Sequence, residues 1–96
     1  MTPEQPLNVD QILQERGERY GTFEANAATA QALKKVLHMN DSWFHLHYDQ
    51  REALDMICHK MARIMNGDPN YADNFFDIAG YATLVANRLG SQRKIV

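Results

Sequence analysis

Four carboxylates carry the chemistry this chain can offer. Glu52 and Asp55 stand three apart, and Asp73 and Asp77 stand four apart. Residues at those spacings share one face of an α-helix. If two helices bearing such pairs pack antiparallel with those faces together, the four acids surround a divalent cation. Several hard oxygen ligands suit Mg²⁺, which takes octahedral geometry and keeps some of its waters. Helix bundles build metal sites from facing helices in this way. Lys60 or Arg63 could then hold a phosphate, and the bound metal could generate hydroxide and steady a charged leaving group.

The same residues also read as caps and surface charge. Asp49 and Glu52 have the N-cap and N3 spacing of a capping box. Asp73 can cap the next helix, and Asp77 favours the positive end of that helix's dipole. Arg63 can pair with Asp55 or Asp77 at the surface for under about 1 kcal/mol. Spacing alone leaves both readings open.

The elements that must position these residues read as four helices. Asn8 or Asp10 can cap the first, in which Val9, Ile12, Leu13 and Arg16 share a face; Gly17 and Gly21 mark its end. The second runs from about Thr22 to Met39, with Thr22 as cap. Ala25, Ala28, Ala32, Leu33, Val36 and Met39 form its expected buried stripe. The connector from Asn40 to Tyr48 holds Trp43, Phe44, Leu46 and Tyr48, enough aromatic surface to fold back over the core. Asp41 or Ser42 can cap one short turn there. The third helix spans Gln50 to Asn66, with Gly67 and Pro69 ending it. Its stripe is Ala53, Leu54, Ile57, Met61, Ile64 and Met65, opposite Glu52, Asp55, His59, Arg63 and Asn66.

The fourth helix, Asn74 to Leu89, is capped by Asn70 or Asp73 and is apolar nearly all round. Its mixed face carries Asp77, Tyr81, Leu84 and Arg88. A helix of that kind is central in its own domain or shared with a second copy. No segment alternates with period two, so no sheet is expected. The prolines and polar residues of 1–7 predict a flexible N-terminus, and 91–96 a flexible basic tail with Arg93 and Lys94.

Composition narrows the function classes. A net charge of −2 gives no positive field for a phosphate backbone, which argues against duplex nucleic acid. No apolar run reaches the roughly 18 residues of a membrane span, and the start of the chain lacks a charged-then-apolar leader. A cytoplasmic protein without a membrane partner is the expectation. Cys58 is the single cysteine, so no internal disulfide is possible and a packed thiol in a reducing setting fits. His45 and His47, two apart outside a strand, share no face for zinc. Trp43, Phe44 and Tyr48 could stack single-stranded bases, against which the weak positive charge speaks.

Three segments also carry a resemblance: Arg19-Tyr20-Gly21-Thr22-Phe23, Lys60-Met61-Ala62-Arg63-Ile64, and Asp73-Asn74-Phe75-Phe76-Asp77-Ile78-Ala79-Gly80-Tyr81-Ala82. In that order, over about Val9 to Leu89, they resemble a family of small phage and prophage proteins of unknown function. That family resembles nucleotide-modification-associated domains and, more distantly, the all-α nucleoside triphosphate pyrophosphohydrolases of the MazG type. The MazG pattern is Glu-x-x-Glu on one helix and Glu-x-x-Asp on the next, which hold Mg²⁺. Here Glu52 and Asp55 match the first pair and Asp77 the last acid; Asn74 stands at the third, with Asp73 one residue before it.

The resemblance implies a MazG-like, four-helix antiparallel bundle that dimerises through its last two helices. It implies nucleotide metabolism, in the catalytic version cleaving a nucleoside triphosphate between its α- and β-phosphates. Glu52, Asp55 and Asp77 would be catalytic and, with Asp73, would hold Mg²⁺. Lys60 and Arg63 would contact phosphate, and Tyr81 sugar or base. The alternative is a non-catalytic accessory protein that binds a host or phage protein, favoured by the greasy fourth helix, the aromatic connector and the missing acid.

Overall fold

A computed structural model describes residues 8–90. The N-terminal and tail segments expected to be flexible lie outside the described residues. The described chain is all-helical, with no strand. It comprises α1 (Val9–Tyr20), α2 (Phe23–His38), a 3-10 turn (Asp41–His45), α3 (Tyr48–Asn66) and α4 (Ala72–Leu89).

Local chemistry sets the helix ends. Asn8 accepts from the Gln11 N–H at 3.1 Å and opens α1. The helix continues through Gly17 and stops at Gly21, whose φ of +83° suits glycine. A Cβ on Gly21 would also fall 2.4 Å from the Asn66 carbonyl oxygen. Thr22 caps α2 as expected, accepting from the Ala25 N–H. Asn40, rather than Asp41 or Ser42, caps the 3-10 turn, accepting from the Ser42 N–H at 2.9 Å. At α3 the capping residue is His47, not Asp49: Gln50 Oε1 accepts from the His47 N–H at 2.8 Å. The helix starts two residues earlier than its polar pattern suggests, so Asp49 and Glu52 are left for other partners. Tyr71 precedes α4 and makes no side-chain cap bond.

Three helices form one layer. α3 packs along both α2 and α4, and α1 touches α3. Both pairings are antiparallel. Along α2, Thr29, Lys34 and His38 meet Asn66, His59 and Asp55 in reverse order. Along α4, Asp77 and Arg88 meet Lys60 and Asp49. With residues about 100° apart on a helical wheel, these two sets of α3 residues lie about a third of a turn apart, and α2 and α4 scarcely touch each other. α3 is therefore the centre strip of the layer, with α2 and α4 as its borders.

The buried apolar set is small: Ala30, Trp43, Ala53, Cys58 and Ala62. Only Trp43 is large; it is the connector's inward residue, its ring 4.3 Å from that of His38 on α2. The connector does fold back, but Phe44 and Tyr48 stay exposed. The thiol of Cys58 is buried as expected, and burial raises its pKa. The stripe expected on α2 is not its packing face: Ala28, Ala32, Val36 and Met39 are exposed, and Ala30 is the buried residue. α2 is drawn to α3 through Ala30 and through polar pairs, because those pairs lie on the side away from its greasy stripe.

Candidate functional site

α4 turns a face of mixed polarity inward. Asn74, Ile78, Tyr81 and Val85 follow a 4, 3, 4 spacing and lie on the α3 side of the helix, flanked by Asp77 and Arg88. Phe75, Phe76 and Leu84 are exposed. The Lys60 ammonium meets Asp77 Oδ2 at 2.9 Å; the lysine side chain is 11% exposed and the aspartate 50%. Arg88 grips Asp49 in a two-pronged pair, with Nη2 donating to Oδ1 at 2.7 Å and Nε to Oδ2. That pair, led by the Arg88 hydrogen bonds, lowers the Asp49 pKa to about 2. Arg88 is raised in turn by Asp49.

The four acids of the sequence pattern go to different neighbours. Asp55 faces α2, where its Oδ1 lies 3.1 Å from His38 Nε2. Asp73 accepts from the Tyr71 hydroxyl at 2.8 Å, and this bond chiefly raises the tyrosine's pKa. Asp77 belongs to Lys60. Glu52 lines a small cavity of about 200 Å³ between α3 and α4, together with Asp49, Tyr81 and Leu84. Among the described residues no three His, Cys, Asp or Glu side chains come close enough to hold a metal. The carboxylate faces of α3 and α4 are not opposed, because α4 docks on the Asp49–Ala53–Lys60 side of α3. Asp55 points away from it toward α2, and Glu52 stands at the rim of the α3–α4 cleft.

Arg63 lies on the polar face of α3 with Glu52 and His59. Its guanidinium stands 4.5 Å from the centre of the Tyr20 ring, and that of Arg16 stands 5.6 Å from the same ring. Tyr20 packs edge-on against Tyr71, and Arg19 lies 5.5 Å from the centre of the Tyr71 ring. Lys34 Nζ is 2.9 Å from His59 Nε2. An ammonium can only donate, so the imidazole accepts there and is neutral. Burial, then the charges of Lys34 and Arg63, hold the His59 pKa below its usual value.

Sequence reasoning brought Lys60 and Asp77, and Glu52 and Tyr81, to common places, and missed three contributors. Tyr71 and Lys34 reach Tyr20 and His59 across loops, which no local spacing reveals, whereas Arg16 meets Tyr20 one turn along the same helix. Asn74 did carry a signal. Its amide is 1% exposed, with neither Nδ2 nor Oδ1 hydrogen-bonded. The 4, 3, 4 spacing from Asn74 to Val85 marks it as an inward position.

These features define a small all-α protein built as a single helical layer, with ion pairs along one seam. The chain belongs to the family described as a domain of unknown function, DUF6378, whose model matches residues 8–89. No curated protein and no solved structure matches it. No helix among the described residues is long and apolar enough to cross a membrane.

Proposed function

We propose that this protein serves nucleotide metabolism as a homodimer that binds a nucleotide on the polar side of its helical layer. One observation carries the reading: the layer has two unlike faces. On one side, Leu54, Ile57, Met61 and Met65 of α3 run beside Phe75, Ile78 and Ala82 of α4. They line two shallow apolar troughs of about 360 and 460 Å³. Met65 is 75% exposed and Phe75 55%. A layer whose own core holds one large side chain gains its missing apolar burial from a second copy, at about 25 cal/mol per Å². Two such layers face to face complete an antiparallel, MazG-like bundle.

The other side carries Glu52, His59 and Arg63, with Tyr81 at its edge. Arg63 contacts phosphate in this reading, and Tyr81 sugar or base. Lys60 is held by Asp77 and would reach phosphate only by leaving it. Binding does not require Mg²⁺. A metal-dependent pyrophosphohydrolase would need a second copy to bring Glu52, Asp55, Asp73 and Asp77 together. Sedimentation and calorimetric titration with nucleoside triphosphates, with and without MgCl₂, test the reading. The expected results are a dimer that Met61→Glu dissociates, and nucleotide binding that Arg63→Gln weakens. A monomer at all concentrations that takes up no nucleotide would end it.

A second reading, an accessory protein that binds a host or phage protein, is favoured by one observation. Three of the four acids already have partners inside the chain.

A further inference from the structure

Where α1 ends and α2 begins, the chain wraps a cavity of about 360 Å³, lined by Arg16, Tyr20, Thr22, Phe23 and Arg63. That volume lies within the range of small-molecule sites. Two guanidiniums approach the same tyrosine ring at its wall. Neither Arg16 nor Arg63 has a carboxylate partner among the described residues. Like charges gathered without a counter-charge repel, and the arrangement costs stability unless an anion joins them. A guanidinium offers a planar fork of donors that matches phosphate oxygens.

The backbone adds to this. Phe23 and Glu24 open the 16-residue α2, and neither N–H has an acceptor among the described residues. Thr22 and Phe23 bring that end of the helix to the cavity, where its dipole favours negative charge. Glu24 is exposed in the same turn and offsets part of that field. The Phe23 ring, 85% exposed at the cavity's rim, is an apolar surface with no packing role in the chain.

We infer that this cavity is a phosphate-binding site, in which Arg16 and Arg63 clamp the phosphate group of a small phosphate ester at the start of α2. It deepens the nucleotide reading by placing the phosphate, and rests on that reading only for the identity of the ester. The position of Arg16 and Phe23 separates it from the α3–α4 seam where Asp77, Tyr81 and Glu52 lie.

The test is an amide-resolved NMR titration of the full chain at low salt with pyrophosphate, ATP and adenosine. Pyrophosphate and ATP are expected to move the Thr22, Phe23 and Glu24 amides, and adenosine to leave them in place. Arg16→Gln and Arg63→Lys should each weaken pyrophosphate binding about tenfold, the loss of one charge-assisted hydrogen bond. Arg16 is exposed, so its replacement leaves the fold intact even if a change at Arg63 loosens Tyr20. Pyrophosphate binding that survives Arg16→Gln unchanged would overturn the site, as would silence of those three amides. ATP that moves only amides near Tyr81 and Glu52 would overturn it too, and leave the nucleotide reading standing. Pyrophosphate bound through Arg16 while ATP fails to bind would support the site and remove the nucleotide.

Discussion

The two seams of α3 are built from different materials. Against α2 the contact is close: Ala30, Cys58 and Ala62 are all at most 1% exposed. Asn66 locks its end, with Nδ2 3.0 Å from Thr29 Oγ1. Against α4 the contact is charged, with Lys60–Asp77 midway, Asp49–Arg88 at one end and an unbonded Asn74 amide inside. Small apolar side chains let axes approach, and the polar pairs of this seam, Lys34–His59 and His38–Asp55, lie at its exposed edge. Ion pairs and a buried amide bring desolvation costs that only good partners offset. The α2–α3 seam therefore holds the layer together. The α4 seam fixes register while giving up stability.

The sharpest way to break this contrast is to overfill the close seam. Ala62 is 0% exposed. Ala62→Leu has no room and should cost about 3 kcal/mol, at the upper end for overpacking. For a domain of this size the melting midpoint should fall by more than about 10 °C. A melt within a few degrees of wild type would mean that the seam is loosely packed and the contrast false.

The charged seam should answer asymmetrically. Asp77→Asn strands a Lys60 side chain that is only 11% exposed. Breaking a fully buried pair costs several kcal/mol; with Asp77 half in solvent the expected loss is about 1–2 kcal/mol. Lys60→Met removes the charge together with its need for a partner, and should be neutral or slightly stabilising. Denaturant midpoints of the two variants decide the matter. Equal losses would show that the pair itself, rather than the desolvated lysine, sets the cost.

Asn74→Leu sharpens the same point. Two buried amide atoms without partners cost more than an apolar side chain of similar size, so the variant should gain about 1 kcal/mol in urea unfolding. A loss instead would give the amide a partner and a task.

How much of this was legible in the residues differs by seam. The helix spans were readable, because Gly21, Thr22, Gly67 and the apolar periods punctuate the chain. Cys58 as a packed thiol was readable for the same reason. The faces were not. Hydrophobic periodicity assumes that the greasiest side is buried, yet α2 and α4 both turn polar pairs toward α3 and leave Val36, Phe75 and Leu84 outside. One chain's periodicity cannot distinguish that inversion from a closed bundle. The inversion also dispersed the acids: Asp55 is captured by α2 and Asp77 by Lys60, contacts between residues far apart in sequence.

The smallest expected effect lies at the solvent-exposed end of the charged seam. Arg88 holds the Asp49 carboxyl down to about 2 in the folded chain, against about 3.9 for a free aspartate. A group whose pKa falls on folding binds fewer protons when folded than when unfolded over that interval. Its stabilisation is therefore complete above about pH 4, declines as pH drops through the interval, and is gone below about pH 2. Other carboxylates shape the same acid limb, so the wild-type curve alone proves little. The difference between wild type and Asp49→Asn isolates it. The variant should be less stable at neutral pH and the two curves should converge as pH falls from about 4 to 2. Added salt should shrink the gap, since both partners are partly exposed. A constant gap across that interval would mean that the substitution acts through packing at the start of α3. The α4 seam would then lose one of the two charge pairs on which its difference from the α2 seam depends.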